Sequence, residues 1–253
     1  MVQPKVLVIT LLAWQGGGPP RYLPAHLTCA VFHESVTGEA RAEARGGDLN
    51  EHFGREGILA LRAVAADSGL AVEAWLDSLT IWRENASGRV EPDAEGLLGG
   101  RWIGRLEPDG RWIGSQVPFI PDEVALVTDL RPLLEEFLPR LPGRVLSVGA
   151  ADSANGRVIR REQGAGDLQR YAWRAASGFD TTATLGDSVR RMRRETTEEG
   201  WLLWSPVEGP VRWERSVTTT LVPEGRNAGR GVAVQRIAVV RLRGHPACPA
   251  SGG

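Results

Sequence analysis

Alternating segments separated by turn sequences run through most of the chain, and they constrain its fold more than any other feature. Residues 71–82 alternate apolar side chains with polar or aromatic ones, and Asp67-Ser68-Gly69 separates them from the apolar stretch 57–65. Alternation with a period of two is typical of a β-strand, and a turn between two such runs indicates an antiparallel pair. A chain built largely of such pairs forms a sandwich, a barrel or a large curved sheet.

The clearest hairpin lies near the middle of the sequence. Residues 101–106 and 111–117 flank the turn sequence Glu107-Pro108-Asp109-Gly110. Asp-Gly between two apolar stretches is among the strongest local hairpin patterns, so these segments are predicted to pair. A strand is also predicted at 38–45, and the second half carries further predicted strands with a turn at 198–200. Those strands are 157–162, 168–175, 188–196, 200–205, 211–221 and 231–242.

One segment has helical periodicity. Apolar residues recur at helical spacing between positions 130 and 141, and Thr128 or Asp129 can cap the start. Pro132 is tolerated only in the first turn of a helix, which agrees with that start. The pattern predicts an amphipathic helix over about 129–138. Because it is apolar on one side only, it must pack on the sheet.

The predicted fold class is therefore mainly β: a large curved antiparallel sheet, an open barrel or half-barrel, with one amphipathic helix packed on it. The chain has 253 residues, of which 42% are hydrophobic and 24% charged, which are ordinary globular values. One domain is predicted over 21–243, with two β-meander halves joined by the helix. Residues 244–253 are predicted to form a disordered tail.

The first residues resemble a targeting segment. Lys5 precedes the apolar run 6–14, and a Gly/Pro-rich stretch follows at 16–20. A positive charge, a short apolar run and a break are the parts of a secretory signal peptide. Residues 1–20 are therefore predicted to be a leader, and the protein to be exported to the periplasm or outside the cell. The alternative is a buried first strand.

The two cysteines leave two interpretations open. Cys29 and Cys248 belong to no C-x-x-C pair, so the sequence does not favour a zinc or thioredoxin-type site. They form a disulfide in an oxidising compartment, or they are two free thiols.

Several functions are disfavoured by charge and by motif. The net charge of -1 argues against nucleic acid as a partner, and no segment predicts a membrane span. The glycine run 16–18 is followed by two prolines, which removes the amide donors of a phosphate nest. No G-x-S-x-G elbow occurs, and His33-Glu34 lacks a second histidine at zincin spacing. We predict no catalytic residues, no cofactor and no metal site.

Four segments carry a resemblance to known proteins. They are the hairpin Gly104–Gly114, the helix end Leu138–Pro142, the dipeptide Val148-Gly149 and the return Glu208–Trp213. In this order they resemble uncharacterised bacterial exported β-rich proteins, and they are similar to the half-barrel domains of envelope lipoprotein carriers and related lipid-binding proteins. The resemblance implies a curved sheet that holds an apolar ligand.

A helix in the mouth of a curved sheet makes an apolar cavity where it packs loosely. The leading hypothesis is a non-enzymatic envelope protein that binds a lipid or other apolar ligand there. Candidate ligand-binding residues are Trp102, Trp112, Leu133 and Phe137. The second hypothesis is an envelope interaction or scaffold module with a protein partner, and the third is a glycan-directed hydrolase.

Overall fold

The described part of the chain forms one sheet of twelve strands. A computed structural model describes residues 18–43, 49–154, 156–185, 188–224 and 230–246. The strands of the first half are β1 (Ala30–Ala42), β2 (Leu49–Ala66), β3 (Gly69–Asn85), β4 (Gly88–Val90), β5 (Trp102–Leu106) and β6 (Trp112–Gln116). Those of the second half are β7 (Ala151–Ala154), β8 (Arg157–Glu162), β9 (Gln169–Leu185), β10 (Ser188–Ser205), β11 (Gly209–Pro223) and β12 (Gly231–Leu242).

All strands belong to one open antiparallel sheet, as the sequence predicts. The order is β6-β5-β3-β2-β1-β12-β11-β10-β9-β8-β7, with β4 beside β3. The first strand pairs with the last, from Val31 opposite Leu242 to Ala42 opposite Gly231. The two halves of the chain therefore extend outwards from a central β1/β12 pair, and the predicted hairpin β5/β6 lies at one edge.

The second half differs from the prediction at residues 198–200, and it has one strand, β7, that was not predicted. A turn was predicted at 198–200, because Glu198-Glu199-Gly200 combines charge with glycine. Strand β10 instead continues through these residues, with Gly200 paired to Arg215 on one side and to Trp173 on the other. Cross-strand pairing on both sides overrides the weak strand propensity of glycine and glutamate.

The helices are short. Among the residues that the structure describes they are α1 (Pro24–Leu27), α2 (Asp122–Ala125) and α3 (Leu133–Phe137), with one 3₁₀ turn at Glu95–Leu97. The predicted helix at 129–138 is present as α3 but begins later. The Asp129 carboxylate accepts the Arg131 backbone N–H at 3.1 Å and also pairs with the Arg131 guanidinium at 2.8 Å, which favours a turn before Pro132.

The hydrophobic core lies between the helices and one face of the sheet. Phe137 of α3 packs edge-on against Phe32 and Trp213, with ring centroids 5.6 and 5.3 Å apart, and the latter two rings lie 5.2 Å from each other. Near α1, Trp204 makes T-shaped ring contacts with Tyr22 and His26. Edge-to-face pairs stabilise such a core beyond the area they bury. We call this side of the sheet the helix-covered face.

Two ion pairs on the helix-covered face involve buried or half-buried arginines. Arg55 donates two hydrogen bonds to the Glu34 carboxylate, at 2.8 and 3.0 Å, and both side chains are buried. Burial opposes the charge of Arg55, but the Glu34 carboxylate outweighs it and raises the pKa of the guanidinium. Beside this pair, Arg215 reaches Glu136 of α3 at 3.4 Å, so an ion pair ties the helix to the sheet.

Two tryptophans cover the glycines that lie directly opposite them on neighbouring strands. Trp173 lies opposite Gly200, where an added Cβ would be 2.6 Å from the indole ring. Trp82 covers Gly54 in the same way, at 2.7 Å. A large ring over a cross-strand glycine replaces the packing that the missing side chain would provide. This accounts for part of the tryptophan content of the sheet.

The predictions for the two ends fall largely outside the described residues. Residues 1–17 and 247–253 lie there, with most of the predicted leader and tail. Cys29 is disulfide-bonded, and Cys248 lies outside the described residues. Within the described part of the chain, no helix has the length and apolar character needed to cross a membrane.

Candidate functional site

A groove lies on the sheet face opposite the helices, and two neighbouring cross-strand rows form most of it. The rows cross β8, β9, β10, β11, β12 and β1 in that order. The first row is Val158, Arg174, Glu199, Ser216, Arg236 and Thr37. The second row is Arg160, Ala172, Trp201, Glu214, Ala238 and Ser35. Because side chains alternate between faces, these rows point away from the core residues beside them.

The groove has a volume of about 790 Å³ and is open to solvent. Small side chains along the rows form the floor of the groove, whereas an indole and several guanidinium groups project above that floor. The small residues are Ser35, Thr37, Ala172, Ser216 and Ala238. Ligand pockets in proteins typically measure about 300–1,000 Å³. The groove is therefore large enough for a small organic ligand. We call this side of the sheet the grooved face.

Trp201 is the aromatic residue of the grooved face that stands within the groove. The guanidinium of Arg170 lies 4.6 Å from its ring centroid, and that of Arg212 lies 5.5 Å away. Its ring is half-buried. Arginines over the indole fix its orientation through cation–π attraction. Trp201 thus presents to the groove an apolar ring surface whose orientation is fixed.

Most charges in the groove are paired. Arg170 lies 2.7 Å from Glu162, Arg212 lies 2.6 Å from Glu214, and Arg174 lies 3.8 Å from Glu199. Each carboxylate that lines the groove therefore has an arginine beside it. Among the described residues, Arg160 and Arg236 have no carboxylate partner. Both side chains are exposed. The groove thus offers guanidinium donors that are free for a ligand.

The structure places the sequence-predicted ligand residues on the other face. Trp102, Leu133 and Phe137 are 1%, 4% and 3% exposed and belong to the hydrophobic core. Trp112 is half-buried and packs against that core. Trp102, Leu133 and Phe137 thus share one cluster with Trp112 beside it, and none of the four lines the groove. A ligand-binding role for them stays a prediction.

The groove residues were missed because their pattern is not local. Alternation places Trp201 and Ala172 in strands, but only the register brings them together, 29 positions apart in the sequence. The useful signal was an alternating run with small residues on one face, as in Ala172 between Arg170 and Arg174. Such a run predicts a face that is not covered by packing.

One histidine of the grooved face pairs with a carboxylate. His33 lies 2.8 Å from Glu56, close to the surface. Groups of three or more histidine, cysteine, aspartate or glutamate residues that could hold a metal are absent from the described part of the chain.

Comparison with known proteins gives a similarity of fold. No family model and no curated protein matches the chain. A solved structure of lipid–protein interactions in lipovitellin is similar over 88% of this chain, with a TM-score of 0.50 and 10% identity. The match covers 26% of the lipovitellin chain, so this protein spans about a quarter of it. An outer membrane channel from Pseudomonas putida F1 aligns over 88% of this chain and 98% of its own, with 10% identity and a TM-score of 0.27. The chain thus shares a large antiparallel sheet with one part of lipovitellin.

Proposed function

We propose that this is a non-enzymatic protein that binds a lipid or similar ligand, and that the groove on the grooved face is the binding site. The observation that carries the proposal is the groove itself, about 790 Å³ of open space beside a half-buried indole. Lipovitellin, whose structure is described in terms of lipid–protein interactions, has a similar sheet. Its similarity in fold supports a lipid as the ligand class.

The composition of the groove favours a ligand with both an apolar and a polar part. Trp201, Val158 and the two alanines supply apolar surface, whereas arginine, serine and threonine supply hydrogen-bond donors. A purely apolar ligand would leave those donors without partners, which costs free energy. An amphipathic molecule satisfies both kinds of surface. We therefore propose that the ligand binds in the groove and not beneath α3, where Leu133, Leu134 and Phe137 are buried in the core.

The first test is native mass spectrometry of the protein purified from an expressing cell. We expect a bound mass of lipid size that disappears on denaturing extraction. Substitution of Trp201→Ala should remove most of the bound mass, because the apolar wall of the groove is lost. The matched control is Trp75→Ala, since Trp75 is also half-buried and has an arginine 4.3 Å from its ring, but lies outside the groove.

Three outcomes of this experiment are informative. Bound lipid in the wild type and in Trp75→Ala, with loss in Trp201→Ala, supports the groove as the site. Equal loss in both variants overturns the groove as the site. A bare protein mass in the wild type, also after incubation with dodecanol and dodecyl phosphate, overturns the lipid-binding function.

We also propose that the protein works in the cell envelope or outside the cell. The support is the sequence of its first twenty residues, where Lys5 precedes a short apolar run and a Gly/Pro-rich break. The intact mass of protein recovered from a bacterial periplasmic extract tests this. Removal of residues before about Pro20 supports export. A full-length mass found only in the cytoplasmic fraction overturns it.

A further inference from the structure

Ala172 lies at the centre of a positively charged cradle within the groove. On its own strand, Arg170 and Arg174 flank it on the same face. Across the sheet its direct neighbours are Arg160 on β8 and Trp201 on β10. Three guanidinium groups and one indole therefore surround a methyl side chain. We call Ala172 and these four neighbours the cradle. Directly opposite residues in a sheet have Cβ atoms about 5 Å apart, so these long side chains reach over the same spot.

The cradle retains positive charge. Arg170 and Arg174 each have a glutamate within 4 Å, at 2.7 and 3.8 Å; the first pair is partly and the second largely exposed to solvent. Arg160 makes no ion pair with any described residue. The planar guanidinium fork suits carboxylate and phosphate oxygens, which accept two parallel hydrogen bonds from it. The cradle thus has the shape and charge for a single anionic group.

The rest of the groove continues away from the cradle towards β1. Beyond Trp201 the second row passes Glu214 and reaches Ala238 and Ser35. Strands in a sheet lie about 4.8 Å apart, so β9 and β1 are separated by about 19 Å along this row. That length accommodates an extended chain. The small side chains at the far end leave space for it.

We infer that the groove binds an anionic amphiphile, with its phosphate or carboxylate group over Ala172 and its chain extended across Trp201 towards β1. This inference rests on the proposed lipid-binding function and adds the charge of the ligand and its orientation. Arg160 is the residue that distinguishes a charged from a neutral headgroup, because it is the cradle arginine without a carboxylate partner among the described residues.

The test uses three probes that separate headgroup charge from chain. They are dodecyl phosphate, dodecanol and inorganic phosphate, titrated into the full-length protein by isothermal titration calorimetry below the micelle concentration. We expect dodecyl phosphate to bind at least about tenfold more tightly than either other probe, and its affinity to fall as salt rises.

A variant of Arg160 tests whether the cradle is responsible for the preference for dodecyl phosphate. Arg160→Gln should weaken dodecyl phosphate about tenfold and leave dodecanol unchanged, because one charge-assisted contact is lost. The control is Arg62→Gln, which removes an exposed arginine outside the groove, where its partner Glu73 keeps Arg101 at 3.0 Å. Circular dichroism checks that each variant folds. Equal affinity of Arg160→Gln and the wild type for dodecyl phosphate overturns the role of the cradle.

The probes also separate this inference from the proposed function. Dodecanol binding as tightly as dodecyl phosphate overturns the anionic headgroup and leaves lipid binding in place. Inorganic phosphate binding as tightly as dodecyl phosphate overturns the amphiphile, because the cradle then binds a free anion. Failure of all three probes to bind overturns both.

Discussion

The helix-covered face and the grooved face consist of alternate residues of the same strands. On β1, Phe32 and Glu34 are buried beneath the helices, whereas Ser35 and Thr37 line the groove. On β10, Trp204 is 2% exposed in the core, and Trp201 is half-buried in the groove. The covered face carries large side chains and the grooved face carries small ones between charged groups. The covered face is therefore filled by packed side chains, whereas the grooved face leaves open space for a ligand.

The ion pairs of the two faces also differ in their exposure to solvent. The pair Glu34–Arg55 has side-chain exposures of 8% and 10%, whereas the pair Glu162–Arg170 has exposures of 40% and 34%. Loss of one partner from a buried pair leaves a desolvated charge, while an exposed partner is solvated by water. Folding stability therefore depends mainly on the covered face, which leaves residues of the grooved face free to serve binding.

Breaking the buried pair Glu34–Arg55 should have the largest effect on stability. Arg55→Met leaves the Glu34 carboxylate buried without its partner and should lower the free energy of unfolding by about 3–5 kcal/mol. Arg170→Met removes the same side chain from an exposed pair and should cost about 1 kcal/mol or less. Urea denaturation followed by circular dichroism measures both.

A double variant sharpens this comparison. Glu34→Leu with Arg55→Met replaces the buried pair by apolar groups and should recover most of the lost stability. If Arg55→Met costs no more than Arg170→Met, the two faces do not differ in the way proposed.

The next effect concerns aromatic packing. Phe137→Leu removes the ring that contacts Phe32 and Trp213 and should cost about 1–2 kcal/mol, because the smaller side chain leaves a gap in the core. Phe179→Leu is the matched control, since Phe179 is 51% exposed on β9. That change should alter stability by less than about 0.5 kcal/mol. Thermal unfolding of both variants checks the difference, and equal losses would contradict it.

The sequence predicts the sheet well, because its signals are local. The hairpin β5/β6 depends on neighbouring segments and on Gly110, whose positive φ of 92° suits the turn. Alternation within 71–82 likewise needs no distant partner. The bounds of α3 were less predictable, since the Asp129–Arg131 contacts compete with the helix at its start.

The groove could not be predicted in this way, because it depends on register between distant strands. Arg160, Ala172 and Trp201 are adjacent only because β8, β9 and β10 pair with particular offsets. A shift of one residue would move Trp201 to the covered face. Alternation also does not say which face the helices will cover. Trp102 was therefore a reasonable ligand candidate from sequence, although it is 1% exposed in the core.

The smallest expected effect is a pH dependence specific to the covered face. His26 packs against Trp204, its Nδ1 accepts the Leu23 backbone N–H at 3.2 Å, and its Nε2 lies 3.2 Å from the Pro206 carbonyl oxygen. Burial lowers the pKa of His26 below its ordinary value, and the hydrogen bond to Pro206 opposes this shift only in part. The folded protein thus favours the neutral ring.

On acidification below about pH 6.5 the unfolded chain therefore takes up the proton first, and the free energy of unfolding falls. Above that pH the ring is neutral in both states and contributes no slope. His26→Gln should reduce the loss of stability between pH 7 and pH 5, measured by urea denaturation at each pH. His52→Gln, which removes an exposed histidine that shares the grooved face, should retain the wild-type loss. An unchanged loss in His26→Gln would show that burial beside Trp204 does not make His26 a source of acid sensitivity, and that carboxylates common to both variants determine it.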